Sequence, residues 1–283
     1  MHLPSIPNTA RARCRGVLFF IVFCLAASTG CSHVKPFYRE APAPLNQPAP
    51  SPDAIRYRLL LIGDAGAPRE DEPTLALLAQ WARVVPNRTM VIFLGDNVYS
   101  DGMPPPDTPE RTERERHVVV VGHHPLDTHG IHGGFYDWKD HLFPLRVVKS
   151  WMWLPLPIIG SLYPLLRWNV RKHYEELNSD TYRDMIRRFG EVFSIKKPLL
   201  NAGGHDHSLQ VMVGDSVGYI LVSGAGIDSR LSTVTDRENT LFAHLHTGFM
   251  AVDFLEDGSV WLSVAEPGPT EVVFHLRLDL RRP

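Results

Sequence analysis

The chain has 283 residues, of which 44% are hydrophobic and 21% are charged. This length and apolar content are enough to build the core of one globular domain. Lysines and arginines number 29 against 31 aspartates and glutamates, so no basic excess points to nucleic acid. The composition describes one folded domain with a tail, and we expect no nucleic-acid partner.

The chain begins with the pattern of a secretory signal. Three arginines between positions 11 and 15 precede an apolar run at 17–27, and small residues then lead to Cys31. A charged start, a short apolar stretch and small residues before a cleavage site are typical of a signal peptide, and the run is too short to span a membrane comfortably. Residues 28–31 resemble a bacterial lipobox, which implies that Cys31 is lipidated. Because Ser28 replaces the usual leucine, ordinary cleavage with a free thiol stays an alternative.

A segment rich in proline and alanine follows this leader. Such a composition favours an extended tether over a packed core. All three cysteines lie in the leader, so the mature domain has no internal disulfide. We therefore predict a lipoprotein-type signal peptide at 1–31, a tether at 32–55 and a folded domain at 56–283. The predicted location is the bacterial cell envelope, with the chain lipid-anchored on the periplasmic face of the outer membrane.

Four polar motifs each follow a run that reads as a buried strand. The runs cover residues 57–62, 90–94, 118–121 and 198–202. The motifs are Gly63-Asp64-Ala65-Gly66, Gly95-Asp96-Asn97-Val98-Tyr99, Gly122-His123-His124-Pro125 and Gly204-His205-Asp206-His207. Open α/β sheets place ligands at the carboxyl ends of strands, so the motifs are expected to converge on one edge of the sheet.

Aspartates and histidines gathered at one point suit divalent and trivalent metals. Two metals about 4 Å apart hold both the attacking and the leaving oxygens of a phosphoryl group. The motifs therefore predict a metal-dependent hydrolase of phosphate esters.

Elsewhere the hydrophobic periodicity predicts helices and further strands. Helical spacing covers residues 73–84 and 178–193, and alternation predicts strands at 218–222, 248–254, 260–264 and 272–278. His244 and His246 alternate on a predicted strand and so point the same way. They could bind a metal.

The order of the four motifs resembles the calcineurin-like metallophosphoesterases, and Tyr99, three residues after Asp96, marks their purple acid phosphatase-like branch. The resemblance extends from residue 56 to about 264. It implies an α/β fold, the calcineurin-like metallophosphoesterase β-sandwich flanked by helices. It also implies phosphomonoester hydrolysis by a metal-bound hydroxide at a dinuclear metal centre.

The resemblance assigns roles to individual residues. The metal ligands that it implies are Asp64, Asp96, Tyr99 and His207 for Fe(III), and Asp96, His123 and His205 for a second ion, which is Fe(II), Zn or Mn. In the family a histidine shortly beyond the third motif lies by the substrate. That position makes His129 the candidate proton donor, with a structural or exposed histidine as the alternative.

One motif of the family, Gly-Asn-His followed by an acid, has no counterpart between Tyr99 and His123. In the family its asparagine binds the second metal and its histidine contacts the substrate. A crossover between parallel strands needs a dozen or more residues and usually a helix with an apolar face, but the helix predicted at 110–117 contains no apolar residue. We expect an internal block to be missing, which leaves the sheet and the second metal site incomplete. A minimal member with a short loop is the alternative.

Two functions therefore stay open. One is a phosphoesterase for a phosphate-ester small molecule, impaired by the missing motif. The other is a catalytically inactive, lipid-anchored, metal-binding relative that acts as an envelope binding module.

The apolar stretch from Trp151 to Trp168 bears on the partners of the chain. It raises the alternatives of a lipid-linked substrate and of membrane contact in addition to the contact through Cys31. Three prolines interrupt this stretch. A single span would also separate His123 from His205, so we expect a packed cover or an interfacial segment.

Overall fold

A computed structural model describes residues 29–30, 35–39, 50–66, 68–96, 121–147, 152–156, 160–162, 168, 174–195, 197–228 and 231–278. The strands are β1 (Thr29–Gly30), β2 (Phe37–Tyr38), β3 (Ile55–Ile62), β4 (Thr89–Phe93), β5 (Tyr136–Asp137), β6 (Leu200–Gly203), β7 (Leu209–Val213), β8 (Tyr219–Ser223), β9 (Thr240–His244), β10 (Phe249–Leu255), β11 (Val260–Ala265) and β12 (Val272–Leu278). The α-helices are α1 (Pro73–Val84), α2 (Trp138–Leu142) and α3 (Asp180–Ile195).

Most of these strands form two mixed sheets. The order in the first sheet is β12-β11-β10-β3-β4, and the order in the second is β2-β9-β7-β8-β6. Only β3 with β4 and β6 with β8 run parallel within these sheets; the other neighbours run antiparallel.

The two sheets pack face to face. Leu61 and Val252 of the first sheet belong to the same buried cluster as Leu209, Leu221 and Phe242 of the second. The predicted β-sandwich is therefore confirmed.

Helices cover the outer faces of this sandwich. Side chains alternate along β3, so Leu61 faces the second sheet while Leu60 and Ile62 face α1, where they pack with Leu77 and Leu78. On the other side, α3 packs its Ile186 and Phe193 against a cluster formed largely by β7 and β8. The predicted α/β arrangement with flanking helices is confirmed.

A buried ion pair lies within the first sheet and contacts α1. Arg58 of β3 and Asp253 of β10 stand opposite each other, and Arg58 Nε and Nη2 donate to the two Asp253 oxygens at 2.6 and 2.8 Å. The Arg58 guanidinium also lies 5.0 Å from the ring centroid of Trp81. This bidentate geometry satisfies both buried charges.

The block expected to be missing would have left the sheet incomplete. Within the described residues, β4 ends the first sheet and β6 ends the second. Residues 97–120 lie outside the described part of the chain, and Val121, which is described, is not in a strand. An incomplete sheet therefore stays a prediction.

Part of the predicted tether belongs to the sandwich. Tyr38 of β2 packs on the core, and its hydroxyl donates to the Val273 carbonyl at 2.9 Å. Ile55 is buried at the start of β3. Cys31 and residues 40–49 lie outside the described ranges. Among the helices of the described ranges, none has the length and apolar character that crossing a bilayer requires.

Candidate metal centre

Three candidate ligands meet at one end of the sandwich. Asp64 follows β3, Asp96 follows β4, and His207 precedes β7. Each offers one ligand atom, and these atoms lie within 4.8 Å of one another. His207 Nε2 lies 3.1 Å from Asp64 Oδ1. Carboxylate oxygens beside an imidazole nitrogen suit a hard or borderline metal ion.

Two further candidate ligands have their ring orientations set by backbone carbonyls. His123 Nδ1 lies 3.0 Å from the Leu94 carbonyl oxygen, and His205 Nε2 lies 3.0 Å from that of Glu175. Because a carbonyl oxygen only accepts, both of these ring nitrogens carry the proton. Metal-binding histidines are typically oriented by donating the other ring N–H in this way.

The opposite nitrogens of these two rings face each other. His123 Nε2 and His205 Nδ1 lie 3.3 Å apart. In neutral rings both are acceptors, so they repel each other unless a cation or a proton lies between them. His123 Nε2 also lies 3.4 Å from Asp96 Oδ1. This donor set fits a second cation next to the one held by Asp64, Asp96 and His207.

The two halves of the centre differ in compactness. Five of the six predicted ligands are described and connected by these contacts, whereas Tyr99 lies outside the described residues. Within the described ranges, Asp64, Asp96 and His207 form the one group of histidine, cysteine and acidic residues with ligand-like spacing. The second set, Asp96, His123 and His205, does not have this spacing as a group. His123 lies close to Asp96 and to His205, but the three ligand atoms do not all lie close to one another.

The motifs converge from two sheets rather than on one edge of a single sheet. Asp64 and Asp96 follow strands of the first sheet, whereas His205 and His207 lie between β6 and β7 of the second. The expectation of one sheet edge was wrong because each parallel pair lies in a separate sheet. The centre therefore forms where the carboxyl ends of β3, β4 and β6 meet across the sandwich.

The backbone is strained at these ligands. Asp64, Asp96 and His205 have φ angles of 55°, 48° and 69°, and no other non-glycine residue in the described ranges has a positive φ. A left-handed conformation costs an L-residue roughly 1–2 kcal/mol. Strain of this kind concentrates at functional sites, where surrounding structure holds it.

Two glycines let the ligand loops approach each other. Gly95 has a φ of 103°, and a Cβ there would overlap the His123 ring. A Cβ at Gly204 would lie 2.5 Å from Asp64 Oδ2. The glycines of these motifs thus allow the ligands to come together.

The histidines of the centre lower one another's affinity for protons. Burial first, and then His132, His124 and His123, lowers the pKa of His205 to about 2. Burial is also the main cause that lowers the pKa of His124. His205 is therefore neutral near pH 7, the form that binds metals.

Asp206 joins the ligand loop to residues 128–134. Its side chain is fully buried, and burial raises the pKa of this carboxyl. Asp206 accepts hydrogen bonds from the Thr128 hydroxyl and, at 3.4 Å, from the His132 backbone N–H. A Cβ at Gly130 would overlap its carboxyl group. The residue between His205 and His207 thus holds the loop that follows the third motif.

The structure places His129 in a different environment from the one predicted. His129 is buried, with Nδ1 2.8 Å from Thr240 Oγ1 and Nε2 3.6 Å from Asp127 Oδ2. Its backbone N–H donates to Gln210 Oε1, and its ring contacts Phe135. None of these partners is a candidate metal ligand. The role of proton donor stays a prediction for His129 that these contacts do not support.

His132, rather than His129, lies against the centre. Its ring centroid is 3.8 Å from that of His205, and His124 is 4.3 Å from His205 in the same measure. The only sequence signal for His132 was its closeness to the third motif along the chain.

His244 and His246 form a separate cluster. Their rings stack with centroids 5.3 Å apart, and their Nδ1 atoms lie 2.6 and 3.5 Å from the two Glu266 oxygens. The two side chains do point the same way. Within the described residues, this cluster lacks the spacing of a metal site.

No family model matches the chain, and no curated protein matches it in sequence. Solved structures do match. One is GAP50, the anchor in the inner membrane complex of Plasmodium, with a TM-score of 0.45 and 12% identity over 81% of this chain and 90% of that chain. Another is the purple acid phosphatase PPD1 from yellow lupin (Lupinus luteus) seeds, with a TM-score of 0.40 and 10% identity over 78% of this chain. The match covers 53% of the lupin protein, about half its length. These likenesses carry no functional argument.

Proposed function

We propose that this chain is a metal-dependent phosphoesterase that hydrolyses phosphomonoesters at the centre formed by Asp64, Asp96, His123, His205 and His207. The observation that carries the proposal is the pair of opposed nitrogens, His123 Nε2 and His205 Nδ1, 3.3 Å apart beside the compact Asp64, Asp96 and His207 group. A cation removes the repulsion between these nitrogens. Two adjacent cations match the needs of phosphoryl chemistry.

Each half of the centre would hold one ion. Asp64, Asp96 and His207, with Tyr99, would hold Fe(III), and Asp96, His123 and His205 would hold Fe(II), Zn or Mn. When bound, the metals supply the Lewis acidity that phosphate-ester hydrolysis needs. The protein contributes orientation, because the Leu94 and Glu175 carbonyls fix the rings of His123 and His205, which would hold the second ion.

Turnover is expected to be low. The second ligand set is linked only pairwise, and the sequence has no Gly-Asn-His segment to complete it. The same observation favours the second candidate function, a catalytically inactive metal-binding module of the envelope. Metal content and turnover discriminate between the two functions.

The main test combines metal analysis with a phosphatase assay. The chain with Cys31→Ser, which removes the lipidation site, is loaded with iron and zinc or manganese and assayed on an aryl phosphate. We expect bound metal, slow turnover, and a tyrosinate-to-iron absorption band that disappears in Tyr99→Phe. Tyr57→Phe is the matched control, since Tyr57 is exposed near the start of β3, at the end of the strand opposite to Asp64. Metal without turnover would establish the inactive alternative, and absence of metal would refute both.

A graft tests the contribution of the missing segment. A block that carries the Gly-Asn-His motif from a complete relative is inserted between Arg116 and His117. Loss of a transition-state contact commonly costs about 10² to 10³ in rate, so the graft should raise turnover by that order. Equal turnover in the two chains would mean that the block is dispensable.

We also infer that the chain is anchored in the cell envelope through lipidated Cys31. The apolar stretch supports a further lipid contact, because Trp153, Leu154 and Leu162 are 55%, 55% and 50% exposed. Exposed tryptophans and leucines favour membrane interfaces. Cys31→Ser should release the chain from the membrane fraction. Unchanged membrane association would point to the apolar stretch instead.

A further inference from the structure

The strand β2 fixes the direction in which the N-terminal segment leaves the domain. Phe37 of β2 stands opposite Ala243 of β9, and the two strands run antiparallel. β9 in turn runs antiparallel to β7, with His244 opposite Leu209. His207 lies two residues before Leu209, so this is the end of the sandwich that carries the candidate ligands. The chain that precedes Phe37 therefore leads toward the ligand-bearing end.

The segment between Cys31 and this strand is short. Five residues separate Cys31 from Phe37, and an extended chain covers at most about 3.6 Å per residue. The reach is therefore roughly 20 Å, about the length of one strand of the sandwich. A lipid on Cys31 would keep the ligand-bearing end close to the bilayer.

The uncleaved chain has a second contact at the same end. β1 pairs in parallel with β5, and Gly30 stands opposite Asp137. Cys31 follows Gly30 in the chain. Trp138, the first residue of α2, follows Asp137. The chain thus approaches Cys31 alongside the strand that leads into α2. Cleavage before Cys31 would remove β1 but would leave β2 in place.

Exposed apolar side chains lie on α2 and on the stretch after it. Trp138, Trp153 and Leu154, which we call the apolar patch, are each about half exposed. The Trp153 ring centroid lies 5.3 Å from that of Phe143, which directly follows α2. Residues 141–173 also contain five basic residues and no acidic one. Exposed tryptophan and leucine beside basic residues favour the interface of a membrane that contains anionic lipids.

Hydrogen bonds join α2 to a candidate metal ligand. Asp140 of α2 accepts from Thr233 Oγ1 at 3.2 Å. Ser232, the neighbour of Thr233, accepts from the His207 N–H through Oγ at 3.1 Å and donates its own N–H to the His207 carbonyl at 3.0 Å. The helix that carries part of the apolar patch therefore has a fixed place beside the ligand loop.

We propose that the ligand-bearing end rests on the bilayer and that the substrate of the metal centre is a phosphomonoester lipid. The inference rests on the proposed function and on the proposed anchor at Cys31. In the reaction, water adds to phosphorus while the bond between phosphorus and the lipid oxygen breaks. One proton of the water passes to the lipid oxygen, so the products are a lipid alcohol and inorganic phosphate. Attachment to the bilayer raises the local concentration of such a substrate at the centre.

The main test compares a phosphomonoester in a bilayer with one in solution. The metal-loaded full chain is assayed for release of inorganic phosphate from dioleoyl phosphatidic acid in phosphatidylcholine vesicles and from dissolved glycerol monophosphate. We expect kcat/KM to be at least about 10-fold higher for the vesicle substrate, because the anchor and the apolar patch hold the centre at the headgroups. Equal values for the two substrates would overturn the proposal.

Variants of the apolar patch test the surface itself. Trp153→Ser with Leu154→Ser should lower the ratio of the two kcat/KM values about 10-fold, since two apolar side chains leave the lipid contact. Val192→Ser is the matched control and should leave the ratio unchanged. Val192 is exposed near the carboxyl end of α3, which leads toward the start of β6 at the opposite end of the sandwich. An unchanged ratio in the double variant would contradict the proposal.

Fluorescence quenching gives a readout that does not depend on turnover. Phosphatidylcholine vesicles with brominated acyl chains should quench the tryptophan fluorescence of the full chain. Trp138→Phe with Trp153→Phe should lower this quenching, and it keeps an aromatic ring at both positions to preserve the fold. Equal fractional quenching of the variant and the wild-type chain would show that a different surface faces the bilayer.

The two proposals fail in different ways. If neither substrate is turned over, the phosphoesterase proposal fails and the lipid substrate with it, whereas quenching still decides whether the ligand-bearing end faces the bilayer. If glycerol monophosphate alone is turned over, the phosphoesterase proposal stands and the lipid substrate is wrong.

Discussion

At the ligand-bearing end of the sandwich, three non-glycine residues hold left-handed backbone and four histidines pack ring against ring, namely His123, His124, His132 and His205. In the body of the sandwich, the strands keep ordinary dihedrals apart from local register shifts, the core is apolar, and the Arg58 and Asp253 charges satisfy each other. The apolar core and the paired charges of the body stabilise the fold, whereas the left-handed residues and crowded histidines of the ligand-bearing end destabilise it.

This difference indicates where stability and activity reside. Strained backbone and crowded polar side chains lower stability and persist only where the surrounding structure holds them. Substitutions at the end should therefore change metal binding and turnover more than stability. Substitutions in the body should do the reverse.

The largest expected effect is on turnover, from Asp64→Asn. Asp64 contacts His207 and accepts the His205 backbone N–H at 2.9 Å, so loss of its charge weakens both halves of the centre. Metals supply several kcal/mol of transition-state stabilisation, so turnover should fall by about 10³-fold or more. Metal analysis and the aryl phosphate assay check this result. Retained metal with wild-type turnover would show that Asp64 is not a ligand.

The largest expected effect on stability comes from the body, in Arg58→Met. This variant leaves Asp253 buried without its bidentate partner, which should lower the free energy of unfolding by about 3–5 kcal/mol. Arg58→Met with Asp253→Leu removes both charges and should recover much of the loss. Denaturant unfolding measures both variants. Metal content of the folded fraction should stay at the wild-type level, and a loss of metal would break the proposed separation.

A glycine at the site tests strain directly. In Gly95→Ala the alanine must adopt a positive φ, and its Cβ would overlap the His123 ring. We expect a loss of about 1–3 kcal/mol in stability and a weaker second metal, with the first metal retained. Metal titration followed by thermal unfolding checks both parts. Gly190→Ala, in α3 with open space around it, should leave metal binding unchanged.

A smaller effect on stability, a gain rather than a loss, is expected from Asp96→Gly in the metal-free chain. Asp96 holds a φ of 48°, which glycine adopts without strain, so the metal-free variant should be as stable as wild type or more stable by about 1 kcal/mol or less. Its metal affinity should fall sharply, because Asp96 is a candidate ligand in both halves of the centre. Thermal unfolding with and without metal measures both the stability of the metal-free variant and its stabilisation by metal. A destabilised metal-free variant would mean that the site carries no strain at Asp96.

The smallest expected effect is a pH dependence in the body. Burial lowers the pKa of His275, which lies parallel to the Trp261 ring and bonds to Ser263 Oγ at 2.8 Å. The folded state therefore favours neutral His275. Stability should fall as the pH drops below about 6.5, where the unfolded chain takes up a proton that the folded chain resists. In His275→Gln, the free energy of unfolding should fall less steeply than in the wild type as the pH is lowered from 7.5. An unchanged slope would refute the assignment.

Hydrophobic spacing predicted most elements of the fold. The helix predicted at 73–84 is found as α1 with the same bounds, and the strand predicted at 272–278 is β12. The other predicted strands of the described ranges are shifted by one or two residues. Docking of Tyr38 on the core was missed, because a two-residue strand in a proline-rich segment has no periodicity to detect.

The sequence by itself determined most of the secondary structure and which residue types stand directly after the strands, because periodicity and motif spacing are local properties of the chain. It placed aspartates and histidines directly after strands, with glycines to permit sharp turns. Only the tertiary structure decided which side chains meet. Asp64 reaches His205 and His207 across two sheets, and His132 rather than His129 lies against the centre because Asp206 and Leu177, distant in sequence, hold its backbone. Contacts between residues so far apart along the chain have no signature in a local pattern.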